Sequence, residues 1–149
     1  KEYRRQRQMC IRDRYSRFQL KQYIEQTQND LFADRQLRLM IENGNRQVVG
    51  IVDLCSFDPL HNRAEVGIMV DKSCRRQGIG RNALALLEEH CFRYLGIHQL
   101  FAYIAVENLP SRRLFAACGY KESAVLKEWA HTFGGGYTDV LVVQKLNLS

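Results

Sequence analysis

Two glycines and three arginines between residues 75 and 81 form a segment that can bind an anion. The segment reads Arg75, Arg76, Gln77, Gly78, Ile79, Gly80 and Arg81, and it precedes a helix-like stretch. Main-chain N–H groups at the start of a helix lie at the positive end of the helix dipole, and glycines let an anion approach them closely. The arginines add positive charge at the same point. The pattern predicts a phosphate site, although Gly-x-Gly alone is equally compatible with a tight helix entry.

This loop differs from two common nucleotide-binding motifs. It lacks the Gly-Lys-Ser/Thr ending of nucleotide triphosphatases and the third glycine of the dinucleotide fingerprint. A second block follows about thirty residues later, with Asn108, Ser111, Leu114 and Phe115 ahead of Gly119 and Tyr120. Together the two blocks resemble the GCN5-related N-acetyltransferases, whose signatures are Q/R-x-x-G-x-G/A and N-x-x-S-x-x-L-Y-x-x-x-G-F. The resemblance extends over residues 18–146.

The resemblance implies acetyl-coenzyme A as cosubstrate. In this family the glycine loop cradles the pyrophosphate, and the second block lines the pantetheine arm. A main-chain N–H near Met69 or Val70 would polarise the thioester, at a bulge that splays the strand from its neighbour. The implied cofactor-binding residues are Met69, Val70, Arg75, Arg76, Gln77, Gly78, Ile79, Gly80, Arg81, Asn108, Ser111 and Phe115.

Two residues are candidates for proton transfer. Acetyl transfer requires a neutral amine and a proton for the departing thiolate. Glu65 is the carboxylate that we expect to draw a proton from the ammonium through water; its alternative role is a solvated strand residue in an ion pair. The tyrosine that often donates the proton in this family is Phe115 here, which has none to give. Either Ser111 donates it or water does, and Tyr103, Tyr120 and Tyr137 are further possible donors. Ser111 has the alternative role of packing against the cofactor.

The stretches Ala64–Gly67 and Gly136–Asp139 resemble the branch that contains spermidine acetyltransferases and acetylases of ribosomal-protein amino termini. This resemblance implies acetylation of a primary amine, with a polyamine such as spermidine as first candidate and a protein amino terminus as second. A coenzyme A-binding domain without catalysis is a further alternative, favoured by Phe115. A polyamine pocket would use carboxylates and aromatic rings. Those available are Glu65, Glu107, Glu122, Glu128, Trp129 and Asp139.

Hydrophobic periodicity predicts the elements that would position this site. Helices are expected at residues 16–27, 79–95 and 109–117, and strands at 36–42, 47–57, 63–70, 99–106, 120–130 and 137–146. The result is an α+β domain with a mixed, mostly antiparallel sheet flanked by helices and a strand-loop-helix site at its centre. The first strand and first helix of the family would lie before Phe18, so they are either missing or replaced.

Charge is concentrated at the amino end. Residues 1–17 contain seven basic and two acidic residues, which account for +5 of the net charge of +6. Two interpretations are open: a solvated flexible segment, or residues foreign to the native start. We therefore divide the chain into this basic segment and an N-acetyltransferase domain at 18–149. Because so little excess charge lies elsewhere, we do not expect nucleic acid to be the main partner.

The remaining composition narrows the class of protein. The 149 residues suffice for one domain, and no apolar run reaches the length of a membrane span or a signal sequence. The five cysteines form no CxxC pair and the four histidines have no metal spacing, so we expect no metal. We expect a cytoplasmic protein that acts on a small-molecule amine, without a membrane partner, and the resemblance allows a homodimer.

Overall fold

Six strands form a single mixed sheet in the order β1-β2-β3-β4-β6-β5. The computed structural model describes residues 30–148. The strands are β1 (Leu37–Glu42), β2 (Val48–Asp58), β3 (Arg63–Val70), β4 (Gln99–Ala105), β5 (Lys121–His131) and β6 (Tyr137–Leu146). Only β3 and β4 pair in parallel, and the other neighbours are antiparallel. The predicted α+β fold with a mostly antiparallel sheet is confirmed.

In the described part of the chain, three helices accompany the sheet: α1 (Leu31–Asp34), α2 (Ile79–Glu89) and α3 (Leu109–Ala117). A 3₁₀ turn at Lys72–Cys74 precedes α2, and a π-helical turn at His90–Tyr94 extends it. Gly96, with φ of 65°, follows the end of this helix as its sequence predicted. The short α1 and the 3₁₀ turn were not predicted, because they are too short to show a hydrophobic period. The predicted helix at 16–27, the basic segment 1–17 and the family's first two elements lie outside the described residues.

The core lies between one face of the sheet and helices α2 and α3. Alternate residues of the strands reach this face, as Ala64 and Val66 do on β3, while Leu84 and Leu87 come from α2 at helical spacing. All four are buried. This packing places the start of α2 near the carboxyl end of β3. The strand residues between these core positions have their side chains on the other face of the sheet, and Glu65, between Ala64 and Val66, is one of them.

The parallel strands β3 and β4 separate partway along their length. They pair at only three positions, from Arg63↔Gln99 to Glu65↔Phe101, and then β3 continues to Val70 and β4 to Ala105 without pairing. A V-shaped gap opens between them, so the predicted splay is present. The predicted bulge at Met69 or Val70 was wrong, because the β2–β3 register runs unbroken over that stretch and shifts between Cys55 and Asp58 instead.

Within residues 30–148, no helix has the length and apolar character needed to cross a membrane.

Candidate active site

Main-chain groups of β3 line one side of the gap. The Asp71 N–H donates to the Val49 carbonyl at 2.7 Å. Hydrogen bonds alternate along an antiparallel pair, so Met69 also bonds to β2, while Ile68 and Val70 direct their N–H groups away from β2. These two N–H groups face the gap, where β3 has no pairing with β4. Two main-chain amides, those of Met69 and Val70, were predicted to polarise the thioester. The hydrogen-bond pattern between β2 and β3 favours the Val70 N–H for this role, because it is the one directed into the gap.

Main-chain groups of β4 line the other side. The Val106 N–H donates to the Asp139 carbonyl at 3.1 Å, so by the same alternation Tyr103 and Ala105 direct their main-chain groups toward β3. The Ala105 carbonyl already accepts the Asn108 N–H at 2.9 Å. The Tyr103 amide and carbonyl and the Ala105 N–H are thus directed toward the gap. The main-chain role of these two residues was not predicted, because a backbone contact requires no particular side chain.

The glycine loop opens α2 beside this gap. Gly78 is the N-cap, with φ of 76° and no side-chain cap, and a Cβ at this position would meet no atom within 4 Å. The first N–H groups of a helix have no partner within the helix, so they are available to an anion. Arg76 also has a positive φ, of 63°, which is strained in a residue with a side chain. Arg75, Arg76, Gln77 and Arg81 are all exposed around this point.

Arg75 also helps to hold the loop. Its Nε donates to the Val70 carbonyl at 3.2 Å, which links the loop to the end of β3. The 3₁₀ turn before it is capped by Asp71, which accepts from the Ser73 N–H at 2.9 Å and from its hydroxyl at 2.7 Å. These hydrogen bonds hold the pKa of Asp71 below its usual value.

Gly80 is the point where the two sequence blocks meet. A Cβ on Gly80 would lie 3.2 Å from Leu114 Cδ2 on α3 and 3.6 Å from Val70 Cγ2 on β3. The first turn of α2 therefore packs directly on α3 and on the end of β3. The structure thus brings the predicted pyrophosphate loop and the predicted pantetheine helix together at the mouth of the gap.

Asn108 caps α3 at this mouth. Its Oδ1 accepts the Ser111 N–H at 3.3 Å, and Pro110 lies in the first turn, where a missing N–H has no cost. The cap uses the amide oxygen, which leaves the amide NH₂ for a ligand. Ser111 is half-buried in the same turn.

Phe115 does not line the gap. Its ring is 1% exposed in the core and packs edge-on against Tyr120, with the ring centroids 4.9 Å apart. The prediction that Phe115 binds the cofactor was therefore wrong for its side chain. Residues at i and i+4 of a helix share a face, so Ser111 and Phe115 are near neighbours, but only Ser111 is accessible.

Glu65 lies at the vertex of the gap and is 5% exposed. Its Oε2 accepts a hydrogen bond from the Ser56 hydroxyl at 3.3 Å, and its Oε1 is buried without a hydrogen-bond partner. Burial raises the pKa of this carboxyl to about 7. Among the residues that the structure describes, Glu65 is thus neither solvated nor ion-paired, so the alternative role considered for it was wrong.

An aromatic row extends from Glu65 along the same face. Phe101, the strand partner of Glu65, lies 5.7 Å from Tyr103 between ring centroids, and Tyr103 stacks on Trp129 at 6.5 Å with an interplanar angle of 22°. Trp129 is 61% exposed. Phe101, Tyr103 and Trp129 together form the aromatic row.

The other carboxylates proposed for a polyamine pocket mostly have structural partners. Glu122 pairs with Arg112 at 3.1 Å. Asp139 accepts from the Glu128 N–H at 2.8 Å and from Lys127 Nζ at 3.0 Å, and these bonds keep its pKa low. Glu107 accepts from the Thr138 hydroxyl. Glu65 is thus the carboxylate of this set that keeps a buried oxygen free of any hydrogen bond.

In the part of the chain that the structure covers, no group of three or more His, Cys, Asp or Glu residues could hold a metal ion.

Comparison with known proteins identifies related chains. The family model described as "Acetyltransferase (GNAT) domain" matches residues 2–121. A spermidine N(1)-acetyltransferase of Vibrio cholerae is 27% identical over 103 residues, which are 69% of this chain and 59% of that protein. The chain therefore spans about three fifths of this relative's length.

Solved structures show the same fold. A chimera of spermidine N-acetyltransferase SpeG from Vibrio cholerae and hSSAT superimposes with a TM-score of 0.80 at 23% identity, covering 91% of this chain and 80% of that one. A dodecameric spermidine N-acetyltransferase from the same organism gives a TM-score of 0.74 at 23% identity, covering 87% of this chain and 71% of that one.

Proposed function

Because the chain belongs to the GNAT family, we propose that it transfers the acetyl group of acetyl-coenzyme A to a primary amine. The observation that carries this proposal is the gap between β3 and β4, which begins at a buried carboxylate and ends at an anion-binding loop. A donor with a phosphate group at one end and a reactive acyl group at the other matches these two ends.

The residues around the gap fit acetyl-coenzyme A. The exposed loop from Arg75 to Arg81 would hold the pyrophosphate with N–H groups and positive charge. The amide of Asn108 and the main-chain groups of Tyr103 and Ala105 would bind an extended arm that carries amides, because strand edges bind such arms through backbone hydrogen bonds. The bound thioester supplies the activated acetyl group.

Three groups of this chain would act on the reacting atoms. The Val70 N–H, directed into the gap, would hold the developing negative charge on a carbonyl oxygen. Glu65, with a pKa of about 7, exists partly as a carboxylate at neutral pH and would accept a proton from the amine. The hydroxyl of the half-buried Ser111 would return a proton to the departing sulfur, with water as the alternative donor.

A polyamine such as spermidine is the acceptor that we propose. The buried Glu65 carboxylate would receive one amine, and the aromatic row would hold the alkyl chain and a second cationic group through cation–π contacts. The partly exposed Trp129 gives this row access to solvent. The spermidine N(1)-acetyltransferase among the relatives supports the same choice. An acetylase of protein amino termini is the second candidate, since one amine at Glu65 would suffice for it.

The test is coenzyme A release from acetyl-coenzyme A with spermidine, putrescine, an aminoglycoside and an alanine-ended peptide, together with mass spectrometry of the products. Acetylated spermidine matched to coenzyme A release is the expected result. Acetylation of the peptide alone would favour the second candidate. Tight binding of acetyl-coenzyme A without release in any mixture would indicate a coenzyme A-binding domain without catalysis.

The variant Phe115→Tyr is a second test of that last alternative. Because the ring lies in the core, a rise in turnover would show both that the new hydroxyl reaches the gap and that delivery of an acid limits an active enzyme, whereas no turnover in either form would favour the binding domain. Because the ring of Phe115 is buried, the unfolding midpoint must be measured alongside the rate.

We also propose that the chain self-associates, at least as a homodimer. The support is the dodecamer formed by a protein of the same fold. Light scattering at several protein concentrations would test this, and a monomer mass throughout would contradict it.

A further inference from the structure

The strand β2 is interrupted next to Glu65. Its register with β3 shifts between Cys55 and Asp58, and Ser56 within the shift has φ of 50°. A residue with a side chain rarely adopts this left-handed conformation, because its Cβ crowds the backbone. Such irregularities in strands redirect side chains and occur often beside active sites.

The irregularity changes the direction of the Ser56 side chain. Cys55 pairs directly with Glu65, so on a regular strand the next residue would point to the opposite face of the sheet. Instead the Ser56 hydroxyl reaches Glu65 and donates to Oε2 at 3.3 Å. Ser56 itself is exposed, so burial of its own surface does not account for the strain.

The two oxygens of Glu65 are therefore not equivalent. Oε2 is occupied by Ser56, whereas Oε1 is buried without a hydrogen-bond partner. A buried polar atom without a partner is costly, and it is rarely retained without a role. Building on the proposed function, we propose that Ser56 is a positioning residue that holds Oε2 of Glu65, so that Oε1 is the oxygen that receives the proton of the acceptor amine.

The other polar groups around Glu65 have a smaller effect on its carboxyl or have partners elsewhere. Cys55, opposite Glu65 on β2, also lowers the pKa of the Glu65 carboxyl through a side-chain hydrogen bond, with a smaller effect than Ser56, and its Sγ lies 3.8 Å from the Glu65 main-chain carbonyl. Asp53, two residues before Cys55 on β2, accepts two hydrogen bonds of 2.7 Å each from the guanidinium of Arg38 on β1. From β4, the facing residue is Phe101, which does not titrate. Ser56 is thus the hydroxyl donor to the Glu65 carboxylate and, of the two side-chain donors, the one with the larger effect on its pKa.

Three substitutions of Ser56 distinguish the effect of its hydroxyl from the effect of the backbone strain. Ser56→Ala removes the hydroxyl and keeps the strain, while Ser56→Gly removes both. Ser56→Asn supplies a new N–H donor in a residue that tolerates the left-handed conformation. Ser123→Ala is the matched control, because Ser123 lies exposed on β5 and its hydroxyl bonds only to the Lys121 carbonyl, at 3.4 Å.

The first measurement is the titration of the Glu65 carboxyl by ¹³C NMR in the protein without substrate. The hydrogen bond from Ser56 favours the charged form, so both Ser56→Ala and Ser56→Gly should raise the pKa of Glu65 above its value of about 7, by about one pH unit. Ser56→Asn should restore it, and Ser123→Ala should not change it. An unchanged titration in both Ser56→Ala and Ser56→Gly would overturn the proposal.

The second measurement is the rate of acetyl transfer. Both variants should lose kcat at neutral pH, about tenfold, while KM for acetyl-coenzyme A stays the same. Ser56→Gly is decisive, because relief of strain should raise its unfolding midpoint while its kcat falls. If Ser56→Gly kept the full kcat, Ser56 would be only a structural residue of the bulge. Lack of activity in the unsubstituted protein would overturn the proposed function, and the titration would still decide whether Ser56 holds Glu65.

Discussion

Glu65 and Phe101 form the last pair that joins β3 to β4. The same pair marks the start of the gap, fixes the position of the buried carboxylate and begins the aromatic row. One interruption of strand pairing thus places a buried carboxylate, main-chain amides directed into the gap and a row of aromatic side chains within one region.

The first prediction concerns Glu65 as a proton acceptor. Only the carboxylate accepts a proton, so kcat/KM should rise with pH through about 7, the pKa of Glu65. Glu65→Gln should lower kcat about 100-fold or more and abolish this rise. The check is a rate profile from about pH 5 to pH 9, with the exposed Glu89→Gln on α2 as control. A rise with the same midpoint in Glu65→Gln would assign the titration to another group.

The second prediction concerns stability. The pKa of Glu65 is about 7 in the folded protein against 4.5 ordinarily. Between these values the folded protein keeps a proton that the unfolded chain loses, so the free energy of unfolding should fall as pH rises through this window. Glu65→Gln cannot lose that proton and should be more stable than the unsubstituted protein at pH 8, by about 1–3 kcal/mol. Urea unfolding at pH 5 and pH 8 measures this, and a pH-independent difference would contradict it.

The third prediction concerns the anion loop. Gly78→Ala forces a side chain into a left-handed conformation, at a cost of about 1 kcal/mol, and adds a methyl group where the anion should lie. We expect the Kd for coenzyme A to rise about tenfold. Gly134→Ala is the control, because a Cβ there meets nothing within 4 Å and its φ is not positive. Calorimetry would show equal affinities in both variants if the loop did not bind the cofactor.

The fourth prediction concerns the packing of β2 on β3. A Cβ on Gly50 would lie 2.2 Å from the Met69 carbonyl oxygen, so Gly50→Ala must displace the backbone beside Val70. We expect a loss of about 1–3 kcal/mol in stability together with a lower kcat. Gly44→Ala, in the preceding turn with open space around its Cβ, should change neither. Full activity in a folded Gly50→Ala protein would argue against a role for the Val70 amide.

The fifth prediction separates the two tasks of Asn108. Asn108→Ala removes the cap of α3 and should cost about 1 kcal/mol of stability. Asn108→Asp keeps an oxygen for the cap but lacks the amide donors, so it should fold with nearly full stability. Both should raise KM for acetyl-coenzyme A. An unchanged KM in Asn108→Asp would restrict Asn108 to capping.

Much of the fold and part of the site follow from local patterns. The six described strands and the start of α2 lie within one residue of their predicted bounds, because alternating and helical periods depend only on which side chains must be buried. The loop from Arg75 to Gly80 was recognisable because glycine and arginine have distinctive backbone and charge properties. Residue identity at the right spacing was sufficient for these features.

The tertiary structure decided the rest. The position at which β3 and β4 stop pairing depends on the packing of elements that are distant in sequence. No local sequence pattern predicts it. The hydrogen-bond register between β2 and β3 directs the Val70 amide rather than that of Met69 toward the gap, and the register between β4 and β6 directs Tyr103 and Ala105 toward it. The burial of Glu65, which raises its pKa, and the burial of Phe115, which removes it from the gap, arise only when the core is assembled. The sequence by itself determined the elements, the loop and the family resemblance, whereas long-range packing decided which of its groups meet and how strongly each one holds a proton.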